Sequence, residues 1–178
     1  MTSALRRDSD RGAALERFAR LIAGAETATA GLTQWCGGPP DTLIHTREET
    51  VALPDEAVLL GQSRAIAVQR RSITHRWRGE VLCDARSTVW LDSPALPPGC
   101  VDQLRHGGQS LGDVLRPIGL RRHTTGVNRL FDYRLPVVHD DHDRPVLLIT
   151  AALHVSGERV ALATETYLEP VLFSARQE

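Results

Sequence analysis

Between Ala13 and Ala23 the apolar positions Ala14, Leu15, Phe18, Leu21 and Ile22 recur every three or four residues. This is the period of a helix with one buried stripe, and Gly24 is a plausible stop. A stretch of small residues leads into Leu32-Thr33-Gln34-Trp35-Cys36. Gly37-Gly38-Pro39-Pro40 must then be a turn, because two glycines and two prolines cannot continue a helix. Beyond it the period falls to two. Thr42–Val51, Ala65–His75 and Val81–Leu91 read as extended strands, the last two separated by Arg76-Trp77-Arg78-Gly79 as in a hairpin.

Pro97–Leu104 resembles a short helix after a proline-set start, and Ser110–Leu115 a second with Ser110 as its cap. The last third predicts strands over Arg129–Val138, Pro145–Val155 and Arg159–Leu168, the final pair joined through Ser156-Gly157-Glu158 as a hairpin. One helix, at least five strands and two short intervening helices in this order predict an α+β fold with a mostly antiparallel sheet.

Composition narrows the function. The 178 residues, 42% of them hydrophobic, suit one domain spanning 1–178. Twenty-one basic against twenty-two acidic residues give a formal charge of -1, so no excess of either sign attracts nucleic acid or an anionic membrane. Every basic residue is Arg, which excludes lysine Schiff-base and lysine-bound pyridoxal chemistry. Cys36, Cys83 and Cys100 are odd in number and widely spaced, as expected of reduced thiols in a cytoplasmic protein. The charged N-terminus offers no apolar signal core, and no apolar run reaches membrane-spanning length.

Three groups of residues could carry chemistry. In a strand Arg71 shares a face with Ile73, and Arg70 with Ser72, so one of the two arginines points into whatever the sheet covers. Arg86 returns fifteen residues later among Cys83, Ala85, Ser87 and Val89. Two guanidinium groups on one sheet face would clamp carboxylates; alternatively Arg70 and Arg71 straddle an edge strand with exposed heads, and Arg86 pairs with a structural acid such as Asp84 or Asp92. Glu165 shares its face with Ala161, Ala163 and Tyr167. Desolvation there would suit it to bind a hydroxyl or move a proton, unless it merely pairs with an arginine at a strand end. His139-Asp140-Asp141-His142-Asp143 has metal-ligand types, yet it lies between Pro136 and Pro145 with no downstream ligand and reads best as a solvated connection, so no metal is expected. There is no GxGxxG, Walker loop or nucleophile elbow.

Taken together, the segments resemble the chorismate pyruvate-lyase family over about Gly31–Leu172, with 1–30 as an N-terminal helix and tail. Gly31-Leu32-Thr33-Gln34-Trp35 is similar to its substrate-binding Ser-hydrophobic-Thr segment. Arg71-Ser72-Ile73, Gly79-Glu80 and Arg86-Ser87 match its hairpin with two arginines. Gln109-Ser110-Leu111-Gly112 is similar to its Thr-Pro-Leu-Gly segment, with Ser110 in place of proline, and Thr164-Glu165-Thr166-Tyr167 followed by Pro170 to its closing Thr-Glu strand.

The resemblance implies an antiparallel sheet of about six strands with helices on one side and helix-turn flaps over an internal pocket. It also implies cofactor-free elimination of pyruvate from chorismate to give 4-hydroxybenzoate, or 3-hydroxybenzoate in a related lyase. Arg71 would bind a carboxylate, backbone amides of Leu32 and Leu111 would support it, Glu165 would hold the ring hydroxyl, and Arg86 would face the enolpyruvyl carboxylate. The catalytic residues are then Arg71, Glu165 and Arg86; no cofactor, metal, nucleic acid or membrane is needed, and the oligomeric state is left open. The same fold resembles the UTRA effector-binding domains of bacterial transcription factors, in which a pocket senses a small aromatic acid or similar ligand without chemistry. Those normally follow a helix-turn-helix domain, for which about thirty residues before Leu32 leave no room.

Overall fold

The structure, a computed structural model, describes residues 2–130 and 144–175. Helix α1 (Thr2–Gly24) is followed closely by α2 (Ala28–Cys36), strand β1 (Asp41–Val51), the short α3 (Pro54–Leu59), and β2 (Ala67–Trp77) with β3 (Glu80–Trp90). Helices α4 (Pro98–His106) and α5 (Leu111–Leu115) and a 3-10 turn lead to β4 (Arg121–Arg129), β5 (Pro145–Val155) and β6 (Glu158–Leu168). The strand expected over Arg129–Val138 falls almost wholly outside the described residues, as does His139–Asp143; β4 ends where that strand was expected to begin. Helix α3 was not expected, since six residues are too few for a periodic signal.

Six strands form one sheet in the order β1-β2-β3-β6-β5-β4, with every neighbouring pair antiparallel. The α+β fold with a six-stranded antiparallel sheet is thus as the sequence implies. Two hairpins share one turn chemistry. Arg78 and Gly79, and likewise Ser156 and Gly157, both take positive φ (51° and 90°; 52° and 84°). A two-residue loop of that kind matches the twist of the strands it joins.

One face of the sheet is covered by helices. Phe18 of α1 stacks edge-on against Trp35 of α2 and Tyr167 of β6, with ring centroids 5.1 and 5.0 Å away, and these pack with Cys83, Leu147 and Ile149. A second cluster seats Cys100 and Leu104 of α4 and Leu111, Val114 and Leu115 of α5 on Val89, Leu153 and Ala161. Among the described residues the opposite face carries α3, whose Ala57 packs with Val68 and Trp90. Cys36, Cys83 and Cys100 are buried and unpaired, and no helix among the described residues is long and apolar enough to cross a membrane.

Candidate functional site

The helical layer does not close completely over the sheet. Between the clusters formed by α1/α2 and by α4/α5 lies a cavity floored by Ile73, Ala85, Ala163 and Glu165 and roofed by Thr27–Thr29 and Ser110–Gly112. Thr27 caps α2 by accepting from the Ala30 amide at 2.9 Å, and Ser110 caps α5 by accepting from the Asp113 amide at 3.2 Å. The first-turn amides of Ala28, Thr29 and Leu111 therefore lie at the roof with no acceptor inside their own helices. The two caps are joined where Thr29 Oγ1 meets Ser110 Oγ at 3.2 Å. Space open to water centres is about 50 Å³, room for a few waters, so a larger ligand must push the roof outward.

Glu165 is the polar centre of the floor. Its Oε2 accepts from the Arg122 guanidinium at 2.8 Å and from the Tyr167 hydroxyl at 2.7 Å, with 1% and 5% of the Arg122 and Glu165 side chains exposed. Both bonds fall on one oxygen, and among the described residues Oε1 has no partner. Burial pushes the Glu165 carboxyl above the ordinary carboxylate value, while Arg122 and Tyr167 pull it back. His75, also at the cavity, is 1% exposed, and its Nδ1 lies 3.0 Å from Thr42 Oγ1. Burial brings its pKa down to about 4, so the ring is neutral at pH 7.

Of the paired arginines, Arg71 is the one turned under the helices, 3% exposed, while Arg70 lies on the other face against Glu56 at 2.9 Å. Arg71 stands directly opposite Ser87, a cavity residue. It donates to the carbonyls of Leu104 at 3.2 Å and Gln109 at 2.9 Å, and its Nε is buried without a partner. Burial, followed by repulsion from Arg47, lowers its pKa to about 10.

Arg86 is not on that face. Counting back from the hairpin, Trp77 pairs with Glu80, a register that would set Arg71 opposite Arg86. An irregularity after His75 inserts Leu82 as an extra residue, so Arg86 pairs with Ser72 instead, on the exposed side of the sheet. The expected clamp of two guanidiniums on one face is thereby broken. Arg86 stands between Ser72 and Thr164 of the neighbouring strands and lines the open groove across the sheet, and, as the residue between Ala85 and Ser87, it also borders the cavity.

Leu32 is also displaced from its expected role. It is fully buried in the second turn of α2, where its amide lies inside the helical ladder; Ala28 and Thr29, one turn earlier, occupy the roof. Leu111 does line the cavity, at the first position of α5. The residue missed by sequence reading is Arg122. The only signal was its place beside Arg121 in a polar strand, which says nothing about a partner 43 residues away.

No protein-family model and no curated protein sequence matches the chain. Solved structures do. The C-terminal domain of the histidine utilization repressor from Pseudomonas syringae pv. tomato superposes with a TM-score of 0.53 at 14% identity, over 78% of this chain and 96% of that one. The effector domain of PhnF from Mycobacterium smegmatis gives 0.53 at 15%, over 72% and 80%. The ligand-binding domain of a chain described as a GntR-family transcriptional regulator from Bordetella bronchiseptica gives 0.51 at 12%, over 74% and 83%. At such identities the likeness defines a fold, that of regulator effector-binding domains.

The expectation of a chorismate lyase is overturned. The neighbours are effector-binding and ligand-binding domains of regulators. The physical reason lies in the strand register: Arg86 pairs with Ser72 and not with Arg71, so the two guanidiniums do not share the face that the lyase reading requires.

Proposed function

We propose that this protein is a non-catalytic effector-binding domain whose cavity takes a small aromatic acid bearing a ring hydroxyl. The observation that carries the reading is the cavity between the two helical clusters, with a largely apolar lining and one buried carboxylate, Glu165, in its floor. An aromatic ring would lie on Ile73, Ala85 and Ala163 beneath Leu111, with Leu120 and Leu153 at one end. Its hydroxyl would donate to Glu165 Oε1. Its carboxylate would meet the first-turn amides of Ala28, Thr29 and Leu111, and would draw in Arg71, which does not itself line the cavity but lies opposite Ser87 with its Nε unpartnered. Arg71, Glu165 and Leu111 are thus binding residues, and no bond in the ligand is broken.

Titration calorimetry with 4-hydroxybenzoate, 3-hydroxybenzoate and benzoate tests this. Saturable binding of a hydroxybenzoate, weaker for benzoate, is expected, together with no pyruvate from chorismate. Absence of binding by all three acids, or stoichiometric pyruvate release, overturns the reading.

A further inference from the structure

Arg122 has one arm in the cavity and the other outside it. Its NH2 holds Glu165, whereas its NH1 donates to the Ile22 carbonyl at 2.7 Å and the Ala25 carbonyl at 3.4 Å, at the end of α1. Two residues along β4, the Thr124 hydroxyl donates to the Ala23 carbonyl at 2.7 Å. Helix α1 has no basic residue in its own last turn. Its terminal carbonyls are therefore satisfied, and its negative dipole end neutralised, by a cation from another element.

We infer that Arg122 couples occupancy of the cavity to the order of the last turn of α1. The inference rests on the ligand reading above and adds to it the route by which binding is felt elsewhere. A guanidinium is a rigid planar fork, so its two arms cannot move independently. A hydroxyl donated to Glu165 Oε1 would fix the carboxylate, hence the guanidinium, hence the carbonyls of Ile22 and Ala25. The short connection after α1 strengthens the link: Glu26 and Thr27 line the cavity, and Gly31 of α2 packs so closely on Ile22 and Ala25 that an added Cβ would lie 2.4 Å from Ile22 Cδ1. Arg122 is a positioning residue, and by reciprocity whatever loosens the end of α1 must weaken ligand binding.

Hydrogen exchange read by mass spectrometry on the full chain tests the coupling. In the wild type, saturating 4-hydroxybenzoate is expected to slow exchange over residues 21–27 several-fold. Thr124→Val removes one tie to α1 at a residue outside the cavity lining. It should speed exchange there and weaken 4-hydroxybenzoate several-fold; faster exchange with unchanged affinity overturns the coupling. Glu165→Gln, without ligand, should speed exchange over the same residues more than in the hairpin of β2 and β3. Wild-type rates in that variant would also overturn it. If no acid binds the wild type, the ligand reading fails and the Glu165→Gln comparison alone decides the coupling. If Glu165→Gln does not fold, the Thr124→Val affinity decides it.

Discussion

Arg47 and Arg71 stand directly opposite one another on β1 and β2, and neither meets a carboxylate among the described residues. Arg71 donates to Leu104 and Gln109, Arg47 to Arg105 and Gly107, and the Nε of each is buried without a partner. Two like charges thus grip the carbonyls of the segment that carries α4 into α5. That segment ends in the Ser110–Gly112 roof of the cavity, so its hold on the sheet governs how far the roof can lift.

Arg71→Met tests the proposed role of Arg71 toward the ligand carboxylate. Lowering the Arg71 pKa from the ordinary guanidinium range to about 10 means that keeping it charged at pH 7 costs about 3 kcal/mol. Removing the charge recovers that penalty but strands two carbonyls at about 1–3 kcal/mol each, so stability should change by no more than about 3 kcal/mol. Affinity for 4-hydroxybenzoate should fall at least tenfold, about 1.4 kcal/mol. Urea unfolding and calorimetry read the two effects separately, and a variant that binds like the wild type removes Arg71 from the site.

The Arg122–Glu165 pair should behave differently. Arg122→Met leaves a buried carboxylate without its cation and is expected to destabilise the fold by about 3–5 kcal/mol. The double variant Arg122→Met with Glu165→Leu removes both charges and should recover much of that loss. Thermal unfolding of the two singles and the double gives the coupling directly, and simple additivity would mean that the ion pair contributes nothing.

His75 predicts an acid-sensitive fold. Its folded pKa of about 4 lies below the ordinary imidazole value of about 6.5, so the native state resists protonation. The neutral ring contributes stability in full above about pH 6.5, and that contribution is lost as pH falls toward 4, reaching about 3 kcal/mol below both values. Urea midpoints at pH 7.5 and 4.5 should therefore differ more for the wild type than for His75→Gln. Equal differences would show that other groups set the acid limit.

Gly112 reports on the roof itself. A Cβ there would lie 2.7 and 2.8 Å from Cγ2 and Cβ of Thr27, the α2 cap, whereas one at Gly108 meets nothing within 4 Å. Gly112→Ala should destabilise by about 1–3 kcal/mol by forcing α5 away from α2. Gly108→Ala should stay within about 0.5 kcal/mol of wild type. Thermal melts of both variants check this, and equal melting points would mean that the two helix starts yield without strain.

Local chemistry alone determined much of this protein. The strand over Pro145–Val155, the cap at Ser110 and the two hairpins were legible because each depends on a few adjacent residues: a period of two, a hydroxyl before a helix, a glycine in a turn. That one of Arg70 and Arg71 points under the helices, and that Glu165 shares a face with Ala161, Ala163 and Tyr167, also follows from strand alternation, whereas the choice of Arg71 does not. Only the tertiary structure decided the rest. Leu82 enters β3 as an extra residue, and one residue of register carries Arg86 to the other face, an outcome no periodicity reveals. Arg122 reaches Glu165 and the end of α1 across 43 and 100 positions of chain. Partners so distant are chosen by the sheet order and helix packing that bring them together, because burying an ion demands a counter-charge wherever the fold supplies one.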